Sequence, residues 1–268
     1  MSNRPRILAT LDGYSVEGGF DRPYEPATCY SPTIALGRHA GPGDADGLWH
    51  DYEKVLDLAP GLGIDGVRIT TEWARIEPRR NEVSSEALDR YKAVCAYAKS
   101  LGLHVSVALV DGVWPAWAGM EAWLLPWVAP YCIENALRVV SHLGDNIDGV
   151  VCFSEPEAIV TRGFIEASSP PWRSGASKNA ALAIEQIDDI TAAISESSVA
   201  AKKIVSASCL VELEQVQSVL SSDVTYQEIY VRSLVRGRGP TASRQGLLSK
   251  HNGAWGVSAS KELLESFS

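Results

Sequence analysis

The chain has 268 residues, 46% of them hydrophobic and 21% charged, with a formal net charge of -9. That is enough apolar material for one sizeable core, at a length close to the roughly 250 residues of a single α/β barrel. The acidic balance argues against nucleic acid, because neutralising phosphates needs a basic face. Residues 1–6 are polar and lead straight into apolar residues. No signal peptide and no membrane span are therefore expected. The five cysteines, Cys29, Cys95, Cys132, Cys152 and Cys209, are odd in number and show no CxxC spacing. They read as buried thiols of a reduced, cytoplasmic protein rather than a zinc site or a disulfide framework.

In chain order, residues 7–11 read as a first strand. Residues 12–47 are rich in Gly and Pro with few periodic apolar positions, and a loop that long is usually functional or mobile. Residues 49–58 show helical spacing and stop at Pro60-Gly61. Residues 66–70 read as a second strand. Residues 81–100 form an amphipathic helix, with Leu88, Tyr91, Val94, Cys95 and Ala98 recurring at three and four, ended by Gly102. Residues 104–110 make a third strand, followed by a loop containing Trp114, Trp117, Trp123 and Trp127. These rings either stack on a ligand or cap the mouth of the fold. Residues 131–143 form a helix closed by Gly144, and the apolar run 147–153 is strand four. Residues 180–201 form an Ala-rich helix and 203–211 strand five. Residues 226–236 can be helical, 237–253 are polar and broken, and 260–267 can form a last helix. Strand and helix alternate with short links, which predicts parallel βαβ units in one domain over residues 1–268.

Chemistry in such a fold is placed at the C-terminal ends of the strands. Cys152-Phe153-Ser154-Glu155-Pro156 puts a carboxylate there, with a proline where the chain must turn. A desolvated carboxyl at such a position can give or take a proton. Its structural alternative is a cap on the next turn. Asp111 ends strand three and Asp12 ends strand one, so either can face Glu155. Asp111 can equally make a turn with Gly112. Arg68 points from strand two and can pair with these acids or bind an anionic group. Glu157 reads as loop-exposed, and Glu212 and Glu214 as carboxylates at a helix start. The five His residues lack metal-ligand spacing, and no Gly-rich phosphate loop opens a helix. No metal or cofactor is expected.

Several segments together resemble family 1 glycoside hydrolases. Ala9-Thr10 followed by Tyr14-Ser15-Val16-Glu17-Gly18 is similar to that family's opening A-T-x-x-Y-Q-x-E-G. Residues 44–52 resemble its approach to the first helix. Residues 68–78 resemble R-F-S-I-E-W-S-R-I-x-P. Val107-Ala108-Leu109 with Trp114-Pro115-Ala116-Trp117 is similar to T-L-x-H-x-x-L-P-x-W. Phe153-Ser154-Glu155-Pro156 resembles T-I-N-E-P, whose Glu is the family's acid/base. Residues 234–240 and 255–264 are similar to later segments.

The resemblance implies a TIM-type (β/α) barrel, incomplete or modified in its C-terminal third. It implies Glu155 in catalysis with Arg68 in support, and the strand-end reading adds Asp111 as the second carboxylate; Asp12, Tyr14, Ser15, Trp73, Trp114 and Ser154 are expected around a small-molecule substrate. Three sugar-gripping positions depart from the pattern: Ser15 stands for Gln, Asp111 for His and Ser154 for Asn. The strand-seven T-E-N-G that carries the nucleophile has no counterpart, and the sixth strand reads as deleted around residues 241–250. The expectation is an acid–base enzyme acting on a glycoside or a polyhydroxylated or cyclic metabolite. Non-hydrolytic cyclisation or rearrangement, or binding without turnover, are the alternatives. A second copy or a partner chain would cover an open barrel edge.

Overall fold

A computed structural model describes residues 8–22, 24–199, 209–211 and 229–231 of the chain. Strand β1 (Leu8–Leu11) is followed by a π-helical turn, Gly13–Glu17, and by helices α1 (Ser31–Ala35), α2 (Leu48–Leu56) and α3 (Leu58–Gly61). Strand β2 (Gly66–Thr70), helices α4 (Trp73–Ile76) and α5 (Ser85–Ser100), and strand β3 (His104–Val110) come next. Helix α6 (Val128–Leu143) leads to β4 (Gly149–Phe153), then to α7 (Pro156–Val160), a π-helical turn (Thr161–Ile165) and α8 (Ser177–Glu196). Strands β5 (Cys209–Val211) and β6 (Ile229–Val231) close the described part.

The first four strands form one parallel sheet in sequence order, β1-β2-β3-β4. Helices lie between successive strands, so the arc is the first half of a (β/α) barrel. The register brings Thr10 opposite Arg68, Arg68 opposite Ser106, and Val110 opposite Phe153. Strands β5 and β6 pair in parallel with each other. Residues 229–231 are thus extended, where the sequence suggested a helix over 226–236; a three-residue apolar run carries no period that separates the two. The expected elements at 203–208, 237–253 and 260–267, and Glu212 and Glu214, lie outside the described residues.

Alternation along the strands sorts the residues into two faces. Val67, Ile69, Val105, Val107, Leu109, Val150 and Cys152 join the main core against the helices. Each such side chain stabilises by about 1.5–3 kcal/mol on burial. Arg68, Thr70, Ser106 and Ala108 occupy the other face, where Ala108 and Val151 form a small separate cluster. Helix α5 turns Ala87, Leu88, Tyr91, Val94, Cys95 and Ala98 into the core, as the spacing predicts. It starts at Ser85 rather than near 81, because the Ser84 hydroxyl accepts the Ala87 N–H at 3.1 Å and caps it. Strand β4 starts at Gly149, just after Asp148, whose N–H donates to the Val105 carbonyl at 2.6 Å. The Asp148 carboxylate accepts the Val105 N–H at 2.8 Å and pairs with Lys99 at 2.6 Å.

At Gly66 the strands pass very close. A Cβ there would lie 2.4 Å from the His104 carbonyl oxygen and 2.6 Å from Leu8 Cδ2, so only glycine fits. Cys29, Cys95, Cys132 and Cys152 are buried free thiols. Among the described residues, no helix is long and apolar enough to cross a membrane.

Candidate active site

The C-terminal ends of β1 to β4 gather the ionisable residues of the inner face. Ser154 stands one residue beyond β4 and Asp111 one beyond β3. The Ser154 N–H donates to the Val110 carbonyl at 2.8 Å, so the ladder continues past the strand ends and sets the two side by side. Arg68 Nη2 donates to Ser154 Oγ at 3.2 Å. Thr70 Oγ1 donates to Asp111 Oδ2 at 3.0 Å. Ser154 hydrogen-bonds Asp111 as well. Three adjacent strands thereby hold one carboxylate through a guanidinium–hydroxyl relay.

The sequence suggested that Arg68 can pair with the acids at the strand ends. Arg68 does pull Asp111 downward, as do Ser154 and Thr70, but the net shift is upward. Burial outweighs them, and the nearby Asp12 adds to it. Asp12 caps the π-helical turn, accepting the Ser15 N–H at 3.2 Å and the Ser15 hydroxyl. Ser15 is exposed and turned to Asp12, whereas Tyr14 is partly buried and stacks on Phe20 and Tyr30 at 5.5 and 5.1 Å. Burial pushes the Tyr14 phenol above its ordinary range, so it remains an O–H donor.

Glu155 is the N-terminal cap residue of α7, in the left-handed conformation (φ 46, ψ 53). A non-glycine residue there is uncommon, costs energy, and clusters at functional sites. Its side chain is 15% exposed, enough to meet a ligand, and its carboxylate lies 3.7 Å from Arg162 Nη2. Arg162 follows by seven residues, two helical turns, and so returns to the same side.

Trp73 and Trp114 take packing roles instead of offering a face to a ligand. Each is 1% exposed. Trp73 Nε1 donates to Glu77 at 3.0 Å and its ring meets Trp117 edge-on at 5.3 Å. Trp114 Nε1 donates to the Gly119 carbonyl at 2.8 Å and its ring meets Trp123. Glu157 is buried on α7, not loop-exposed.

Sequence reasoning missed Glu72. It continues the inward alternation of Arg68 and Thr70, and that is the signal that could have found it. Glu72 is 2% exposed and packs against Gly13, where a Cβ would lie 2.2 Å from its Cγ. Burial first, then Glu17, Asp12 and Asp111, push its carboxyl well above the usual range. Beside it, Glu17 pairs with Arg75 at 2.8 Å and accepts the Tyr91 hydroxyl at 3.1 Å. Tyr91 in turn accepts the Glu72 N–H at 3.0 Å. Burial lifts Glu17 to about 7 even so. Among the described residues no group of three or more His, Cys, Asp or Glu could hold a metal ion.

The family model for glycosyl hydrolase family 1 matches residues 28–226. The chain belongs to glycosyl hydrolase family 1. Among curated relatives, the galactolipid galactosyltransferase SFR2 of Arabidopsis thaliana is 28% identical over 141 residues, 49% of this chain and 23% of the relative. A β-glucosidase of Agrobacterium sp. is 29% identical over 132 residues, 48% of this chain and 28% of the relative. Among solved structures, the β-glycosidase of Pyrococcus horikoshii superposes with a TM-score of 0.69 at 17% identity, covering 82% of this chain and 51% of that one. The likeness shows the TIM-barrel fold, of which the described strands supply part. The chain spans about half the length of the solved enzyme and about a quarter of the curated relatives.

Within the family pattern, two of the departures meet each other. Asp111 replaces a neutral ring and Ser154 a longer amide, and the two are joined to each other and to Arg68.

Proposed function

We propose that the chain is an acid–base enzyme acting on a glycosidic C–O bond. Glu155 protonates the leaving oxygen as the bond breaks, and Asp111 takes the proton of the incoming water. One proton is given and one taken, so the pair is reset through solvent. The observation that carries this reading is Glu155 itself. It is a strained, partly exposed carboxylate at the end of β4, beside the Arg68–Ser154–Asp111 relay. A general base gains strength as its pKa rises toward the working pH, and Asp111 is shifted that way. Asp12 lies close enough to raise Asp111 further and supports the same proton balance. Ser15 fixes Asp12, and Tyr14 walls that side.

The relative described as a galactolipid galactosyltransferase favours one variant of this reading. An acceptor hydroxyl can replace water without changing what Glu155 and Asp111 do, and the product is then a transferred glycoside.

Aryl β-glycosides with and without an added alcohol acceptor test the proposal, run beside Glu155→Gln. Loss of general acid catalysis typically costs about 10²–10⁴-fold. Release of aryl alcohol that falls by that factor in a folded Glu155→Gln protein supports it. Equal turnover by the two proteins removes Glu155 from the chemistry.

A further inference from the structure

Arg75 lies beside the strand-end acids, yet the proposed chemistry does not use it. It stands on α4, just past Glu72, and is buried. Each nitrogen of its guanidinium has a partner in the loop that follows β1. Nε donates to Glu17 at 2.8 Å, Nη1 to Glu25 at 3.0 Å, and Nη2 to the Gly18 carbonyl. The Phe20 and Trp49 rings lie against the same group, each 4.1 Å from its central carbon. The chain can wrap the guanidinium this closely because residue 18 is glycine. It takes a φ of 75°, and a Cβ there would lie 2.4 Å from the Asp44 carbonyl.

What Arg75 holds is one end of the π-helical turn Gly13–Glu17. Glu17 is the last residue of that turn, and Asp12 is the cap at its start. Asp12 accepts the Ser15 N–H at 3.2 Å on its side chain and the Val16 N–H at 3.0 Å on its carbonyl. One turn by itself is unstable, because fixing its dihedrals returns too few hydrogen bonds. Its placement therefore comes from its anchors. At Glu17 these are Arg75 and the Tyr91 hydroxyl, which donates at 3.1 Å from α5.

The other end of the turn reaches the proposed base. Leu11 pairs with Ile69, so one residue further Asp12 comes level with Thr70 on a strand about 4.8 Å away. Thr70 in turn donates to Asp111 at 3.0 Å. Asp12, Thr70 and Asp111 thus follow one another across the ends of three adjacent strands. The charged groups acting on Asp111 or acted on by it are Asp12 from β1 and Arg68 and Glu72 from the β2 side, with the uncharged Ser154 from β4.

We propose that Arg75 is a positioning residue: it fixes the turn that carries Asp12 and so sets how closely Asp12 faces Asp111. The consequence for catalysis rests on the acid–base reading, whereas the positioning itself does not. Without the anchor, Asp12 draws away from a like charge, and Asp111 ionises at lower pH.

Carboxyl carbon NMR of the full chain, labelled at aspartate, follows Asp111 without any turnover. The Asp111 signal is the one lost in Asp111→Asn. Arg75→Lys keeps the charge and cannot make the three-way contact, so the Asp111 midpoint is expected below that of the wild type. Asp12→Asn removes the neighbouring charge and should lower it too. Arg75→Lys added to Asp12→Asn should give no further shift, because Arg75 acts through Asp12. Glu25→Ala removes one of the three anchors at a more exposed residue, and should give a smaller shift of the same sign. It decides the matter if circular dichroism shows Arg75→Lys unfolded. An unchanged Asp111 midpoint in the folded anchor variants overturns the proposal. So does an equal shift from Arg75→Lys with and without Asp12, which is what a merely structural role would give. Shifts as expected in a protein that turns over no aryl glycoside keep the positioning role and overturn the acid–base reading.

Discussion

Glu72→Gln probes the acids at the strand ends most directly. Glu72 is 2% exposed, and its Oε1 has no hydrogen-bond partner among the described residues. Its carboxyl stands well above the ordinary value of 4.5, through burial first and then the charges of Glu17, Asp12 and Asp111. A carboxyl with a raised folded pKa holds its proton in the native state after the unfolded chain has lost it. Stability is therefore fullest below the unfolded pKa and falls as pH rises toward the folded one. One such group contributes a slope of about 1.4 kcal/mol per pH unit. Glu17, lifted from 4.5 to about 7, has the same sign over that window. Together they give a slope approaching about 2.7 kcal/mol per pH unit, and Glu72→Gln should halve it. Near pH 4.5 the amide and the neutral acid are close in shape and charge, so the two proteins should agree within about 1 kcal/mol. As pH rises from there the variant should lead by a growing margin, at up to about 1.4 kcal/mol per pH unit. Urea denaturation followed by tryptophan fluorescence across pH 4.5 to 7 measures this. Parallel stability curves for the two proteins would refute the buried neutral acid.

Asp111→Asn should lower kcat/KM at least about tenfold, or about 1.4 kcal/mol, if Asp111 is the base. Unchanged kinetics on aryl glycosides would leave Asp111 a structural partner of Thr70. Thr70→Val removes a hydrogen bond that lowers the Asp111 pKa, so the acid limb of the kcat/KM profile should move to higher pH. A limb that stays in place speaks against Asp111 as the ionising group. Trp114→Ala should cost about 3–5 kcal/mol of stability, because the ring is 1% exposed and packed on Trp123. The urea midpoint reports it, and a midpoint within error of wild type contradicts the packing role.

The strands were legible because buried parallel strands read as continuous apolar runs. Residues 66–70 and 104–110 begin and end where the sequence placed them. Arg68, Asp111 and Ser154 were legible as a set through family resemblance, and the ladder joins them. Boundaries that depend on a side chain were not, since no hydropathy pattern shows Ser84 capping α5. Trp73 and Trp114 were misplaced for a related reason. A tryptophan near a strand end has the same spacing whether its face is open or covered, and only tertiary packing decides.

The charges at the mouth divide into two sets with different physics. At the ends of β1 to β3, Glu17, Glu72 and Asp111 are acids that burial pushes toward the neutral form, against the pull of Arg68 and Arg75. Three ionised carboxylates so close together would repel one another strongly, so protons are the cheapest way to relieve the strain. At the end of β4, Glu155 is reachable from solvent and faces a guanidinium that is itself partly exposed. In the proposed reaction a proton taken by Asp111 has Ser154 and Thr70 as immediate neighbours and Asp12 as the next carboxylate, all on the buried side of the mouth, and Glu155 meets the substrate on the side that solvent reaches.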